Sequence, residues 1–108
     1  MYFSDKEKYA LAMLAAGMLQ AGLKDGVISN SQWQSAILSV CNKLNAPQTI
    51  FKWHLSIDPF SIIRNMKNDQ NEFVKTFLYG VFQQVPTCEK AAHYFVTTLE
   101  NSGLIIED

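Results

Sequence analysis

Asp25, Ser29 and Gln32 stand close together in the stretch Asp25-Gly26-Val27-Ile28-Ser29-Asn30-Ser31-Gln32, and all three carry side-chain oxygens. Oxygens gathered on a tight turn are the donors a hard divalent cation takes. The twelve-residue calcium loop, with glycine in sixth place, provides the comparison. Gly26 in that place puts Ala21 first, Leu23 third, Asp25 fifth, Ser29 ninth and Gln32 twelfth. Alanine and leucine have no oxygen to give, and glutamine cannot act as a bidentate carboxylate, so a competent calcium loop is excluded. What stays open is a residual divalent-metal site built from Asp25, Ser29, Gln32 and carbonyls of the turn. The plainer expectation is a helix-to-helix turn. Gly26 would supply a positive φ, Asp25 would bond a nearby backbone amide, and Ile28 would drop into the core as a hydrophobic staple.

Other reactive side chains are isolated. Cys41 and Cys88 lie far apart in sequence, with no C-x-x-C spacing, and are expected as small buried hydrophobes in a reducing cytoplasm. His54 and His93 are the only histidines, and no cysteine, serine or acid is spaced to orient either as a base. His93 is expected on the solvent side of the last helix. There is no glycine-rich phosphate loop, no H-E-x-x-H and no G-x-S-x-G. Asp5, Glu7, Asp58, Asp69 and Glu72 sit where helices start, and there they complement the helix dipole. The chain therefore reads as non-catalytic, with no cofactor implied.

Phe51-Lys52-Trp53-His54-Leu55-Ser56-Ile57 is the best candidate for a contact surface. A short helix cannot bury that many large side chains, and part-open Trp and Phe side chains anchor protein interfaces. Phe51, Trp53 and His54, with Phe60, are expected to form part of a partner or self-association surface. The competing reading is that Phe51 and Trp53 close one end of the core. The net charge is −1 and the basic residues are scattered, so no stripe of Lys and Arg follows a phosphate backbone. Nucleic acid is not an expected partner. The nonpolar run Ala10 to Leu19 is ten residues, about half of what a bilayer crossing requires, so a transmembrane segment is not expected.

The elements that position these residues are helical throughout. The 48% hydrophobic content and 108-residue length describe one globular domain, residues 1–108. A chain of this size buries roughly 60–70% of its unfolded surface. Start signals are Ser4-Asp5-Lys6-Glu7 and Ser29-Asn30-Ser31-Gln32, both of capping-box form, and Asp69-Gln70-Asn71-Glu72 in the same role. Asp58-Pro59 is an N-cap followed by proline at the first helical position. Thr87 is a further cap candidate, and Pro47 opens a short helix. Gly22 marks the end of the first helix, and Gly103 with Leu104 has the order of a left-handed C-cap with a hydrophobic latch. Apolar stripes such as Trp33, Ile37, Val40, Cys41 and Leu44 keep helical spacing. The expectation is an all-α bundle of five to six helices near residues 5–21, 30–44, 47–55, 59–67, 70–84 and 88–101. The first of these is apolar nearly all round and should lie inside.

A weak internal repeat runs through the chain. Leu14-Ala15-Ala16-Gly17-Met18-Leu19-Gln20 matches Phe77-Leu78-Tyr79-Gly80-Val81-Phe82-Gln83 at an offset of 63. The next helices match at an offset of 58, with Trp33 on Ala91, Ile37 on Phe95, Cys41 on Leu99 and Asn45 on Gly103. The five-residue difference is expected to fall in the turn, so that the second copy has lost most of Asp25 to Ser29. Two related helix pairs would then pack face to face.

The small-residue helix Leu11 to Gly22, the turn Asp25-Gly26-Val27-Ile28-Ser29, Gln32 and the stripe to Leu44 resemble the tellurite-resistance TerB-like helical family. The resemblance covers roughly residues 8–45, and residues 70–104 more loosely. It implies two packed helix pairs and an association with bacterial stress-response assemblies. Family members that bind a divalent metal use an Asp of the turn and an acid opening the next helix. Here Asp25 is present, Gln32 holds the acid position, and the second turn has no Asp-Gly, so this chain is a divergent member without a full metal set. The reading reached from the sequence is a small cytoplasmic adaptor or regulatory module that binds a protein partner. Its alternatives are a residual metal sensor at the Asp25-Gly26 turn and a small inhibitor or immunity protein.

Overall fold

Helix starts are fixed by side chains that satisfy the free amides of the first turn. A computed structural model describes residues 2–104. Helix α1 spans Asp5–Lys24; the Ser4 hydroxyl accepts from the Glu7 amide at 3.2 Å and the Glu7 carboxylate accepts from the Ser4 amide at 2.8 Å. Helix α2 spans Asn30–Leu44 and opens on the same reciprocal pair between Ser29 and Gln32, at 3.1 and 2.8 Å. Helix α3 is a short Pro59–Arg64, capped by Asp58, whose carboxylate accepts from the Phe60 amide at 3.0 Å. Helices α4 and α5 cover Asn68–Phe82 and Glu89–Asn101. The all-α bundle holds, with no strand among the described residues.

Several boundaries and caps differ from expectation. Helix α1 does not stop at Gly22 but runs on to Lys24; Gly22 lies inside it because Val85 occupies the space a Cβ would need. Helix α4 is capped at Lys67 rather than Asp69. Lysine has no acceptor to offer, and the work is done by Gln70, whose Oε1 accepts from the Lys67 amide at 2.9 Å. Asp69 instead sits in the first turn, where it complements the dipole. The cap of α5 is Cys88, not Thr87: the thiol sulfur accepts from the Ala91 amide at 3.4 Å. Helix α3 ends at Arg64 rather than at residue 67. The helix expected over 47–55 is only a 3₁₀ turn, Gln48–Lys52, followed by an irregular bridge over residues 53–58. Pro47 offers no side-chain cap, and Pro59 pushes Asp58 out of helical geometry, so the stretch is shut at both ends.

Helix α1 is the central element. Ala10, Leu11, Ala12, Leu14, Ala15, Met18 and Leu19 are all buried, and α1 packs against every other helix and the 3₁₀ turn. Both sides of its apolar surface are covered, as an all-round apolar helix requires. Lys8, near the start of α1, reaches the Asn45 carbonyl at the end of α2, so the two helices are antiparallel.

The internal repeat is visible in the backbone. Ser4 and Lys67 are the N-caps of α1 and α4, and Glu7 and Gln70 are their matching third residues, each pair separated by 63. Helices α2 and α5 end alike at an offset of 58. Asn45 and Gly103 both take positive φ, 51° and 68°. The Ala46 amide bonds to the Cys41 carbonyl and the Leu104 amide to the Leu99 carbonyl, both at 2.9 Å. These are the long-range bonds of a left-handed C-cap with a buried latch at Leu104. The two halves also touch at both ends: Gln70 Nε2 lies 3.4 Å from Oε2 of its equivalent Glu7, and Val85, just past α4, covers Gly22 near the end of α1. Contacts start-to-start and end-to-end mean that α1 and α4 run side by side in the same direction. The five missing residues are not taken from the turn. They shorten the helix, which has 20 residues in α1 and 15 in α4, while a connector of similar length follows each. Pro86 keeps the second helix from continuing.

Candidate functional site

The first candidate is the turn after α1. Gly26 takes φ 71°, as expected of the turn glycine, and Ile28 is buried. Ser29 Oγ and Gln32 Oε1 are each occupied by a backbone amide of the capping box. Asp25 does not bond a nearby backbone amide. Its Oδ2 accepts from the Cys88 thiol at 3.4 Å and its Oδ1 lies 3.5 Å from Lys90 Nζ. Cys88 is the N-cap of α5, so the connector after α1 meets the connector before α5. Each of the three side chains proposed from the sequence is thus already engaged in a structural contact. A cation at Asp25 would also have to displace the Lys90 ammonium. Among the described residues, no three His, Cys, Asp or Glu side chains converge as a metal site.

The second candidate is the bridge between the halves. The Tyr9 hydroxyl donates to the Trp53 carbonyl at 2.8 Å, and the two rings stack with centroids 6.2 Å apart at 21°. This pins the start of the bridge to α1. Phe51, Trp53, Ile57 and Phe60 are half-buried against the core. His54, Leu55 and Ser56 are exposed, Leu55 to 37%. Of the four residues singled out in the sequence, Phe51, Trp53 and Phe60 therefore serve the core with part of their surface, and His54 is exposed. Leu55, inside the candidate segment 51–57 but not among those four, is the most exposed apolar side chain of the bridge. Its apolar type beside His54 was the signal.

The remaining groups are accounted for by packing. Cys41 and Cys88 are free and buried. Burial pushes the Cys41 thiol above its ordinary range, and a weak backbone hydrogen bond pulls slightly the other way. Burial likewise raises the Tyr94 phenol, whose ring covers Gly17. His93 is exposed, as expected of its place on α5. Among the described residues, no helix is long and apolar enough to cross a membrane. No protein-family model, curated protein or solved structure matches the chain.

Proposed function

We propose that this chain is a non-catalytic helical module that binds a protein partner through the bridge and its flanks, residues 51–60. The observation that carries the reading is the combination at Trp53. Its carbonyl is tied to Tyr9, while His54 and Leu55 next to it are turned outward. A contact surface that is already ordered loses little entropy on binding, and an apolar side chain beside part-open aromatic rings is the chemistry of an interface anchor. The resemblance to the TerB-like family gives this module its proposed setting, a bacterial stress-response assembly in the cytoplasm. The equivalent caps and equivalent C-termini of the two halves support that resemblance.

The test uses Leu55→Glu and His54→Glu, both at exposed positions, in place of Trp53→Ala, which would remove the stacking on Tyr9. Affinity capture from a native lysate is compared for the natural chain, each of these two variants and Val96→Glu, a substitution at an equally open apolar position on α5. The expected outcome is a partner retained by the natural chain and Val96→Glu, and lost by both bridge variants, with circular dichroism unchanged. Equal retention by all four chains would sink the proposal.

A further inference from the structure

The repeat is broken at one interface, and the break leaves a cleft. Where α5 packs on α1, the Tyr94 ring covers Gly17 so closely that a Cβ there would collide with it. Over Gly80, between α2 and α4, a Cβ would come within 4 Å of the end of the flexible Lys43 side chain alone, and Ala36, the counterpart of Tyr94, lines the depression beside it. An aromatic plug in one half is thus a small residue in the other. Three depressions follow one another along this seam and share residues. One of about 200 Å³ lies beside Ser31, Ser35 and Gln84. A narrow neck of about 10 Å³ passes between Ala36 and Gly80, with Gln84 at one end and Lys43 at the other. Beyond Lys43 a depression of about 400 Å³ is walled by Tyr2, Phe3 and Phe73, with Lys8 at its edge.

No Asp or Glu lines any of the three, although the chain as a whole carries one more acid than base. Lys8 and Lys43 are the charged groups of the seam. Lys8 Nζ is steadied by the Asn45 carbonyl at 3.0 Å. Lys43 is exposed and has neither an ion pair nor a hydrogen bond among the described residues.

We propose that the α2–α4 cleft receives an extended acidic segment of a partner protein. A carboxylate of the segment pairs with Lys43 and Lys8, and a large apolar side chain next to it enters the Tyr2, Phe3 and Phe73 depression. The neck admits only small residues, so glycine or serine crosses at Gly80. Polar residues then meet Ser31, Ser35 and Gln84. The charge follows from lysines with no acid among them, and the order of side-chain sizes follows from the three volumes. This surface is separate from the bridge and does not depend on the role proposed for it.

The probe is a capped synthetic decapeptide with one phenylalanine between two glutamates, followed by a glycine-serine run. A second peptide carries lysine in place of each glutamate. Amide resonances of the full chain are followed on titration. The expected result is a saturating shift of the Lys43, Asn45, Phe73, Gly80 and Gln84 amides with the acidic peptide alone. Lys43→Glu should weaken binding about tenfold, the equivalent of ~1.4 kcal/mol. Lys24→Glu is the control. It makes the same change of net charge about 24 Å along α1 from Lys8, at 1.5 Å per residue, away from the Lys8–Lys43 pair that is to hold the carboxylate, and should weaken binding less than twofold. Equal weakening by Lys24→Glu, equal binding of the lysine peptide, shifts outside the cleft, or no shift at millimolar peptide would each overturn the proposal.

Discussion

At the residue scale, the chemistry hinted at by Asp25 has been redirected into structure. A carboxylate that might have faced an ion faces a thiol and an ammonium from α5. Sequence could name Asp25 as unusual but could not supply its partners, because they lie 63 and 65 residues away and cysteine is a rare helix cap. The Tyr9 hydroxyl was hidden for the same reason: its acceptor is a backbone carbonyl, which no side-chain pattern announces. Tyr9→Phe removes that donor and keeps the ring. It should lower stability by about 1 kcal/mol, the net worth of one hydrogen bond, as measured by urea unfolding. If the bond also holds the bridge, amide exchange at residues 54–56 should quicken more than exchange within α2.

At the element scale, the sequence was most legible where a side chain caps its own helix. Ser4, Ser29 and Asp58 work within three residues of themselves, and each was placed correctly. The misplaced caps, Lys67 and Cys88, are positions whose own residue type gives no signal. The stretch after Pro47 failed differently: its aromatic residues fit a helical stripe, yet Pro59 holds Asp58 out of helical geometry and the Trp53 carbonyl is taken by Tyr9 instead of a helical amide. The repeat, faint in the letters, is plain in the paired glycines, and they make opposite predictions. Gly17→Ala drives a methyl into Tyr94 and should cost about 1–3 kcal/mol by overpacking. Gly80→Ala would meet only the movable end of Lys43, at 3.4 Å, and should stabilise by about 0.5–1 kcal/mol through helix propensity. Thermal melts of the two variants should therefore move in opposite directions.

At the scale of the whole molecule, α1 is the common partner of all other elements, so no part of the fold has a core of its own. Unfolding should be one cooperative event. The two tryptophans test this, since Trp33 belongs to α2 and Trp53 to the bridge. Fluorescence transitions of the single-tryptophan chains Trp33→Phe and Trp53→Phe should each coincide with the loss of helical circular dichroism recorded on the same chain. Separate midpoints would mean that the bridge loosens before the bundle.

The bridge is also the one covalent tie between two halves that already recognise each other along α1. A protease cutting at the open His54-Leu55-Ser56 stretch would sever the chain without disturbing a helix. The two pieces, one ending in the α2 cap and the 3₁₀ turn and the other beginning at α3, would stay docked through the buried faces of α1, α4 and α5. This protein can thus be read as a complex of two fragments that happens to be written in one chain, and a new pair of chain ends can be opened at residue 55 for circular permutation or for a split reporter.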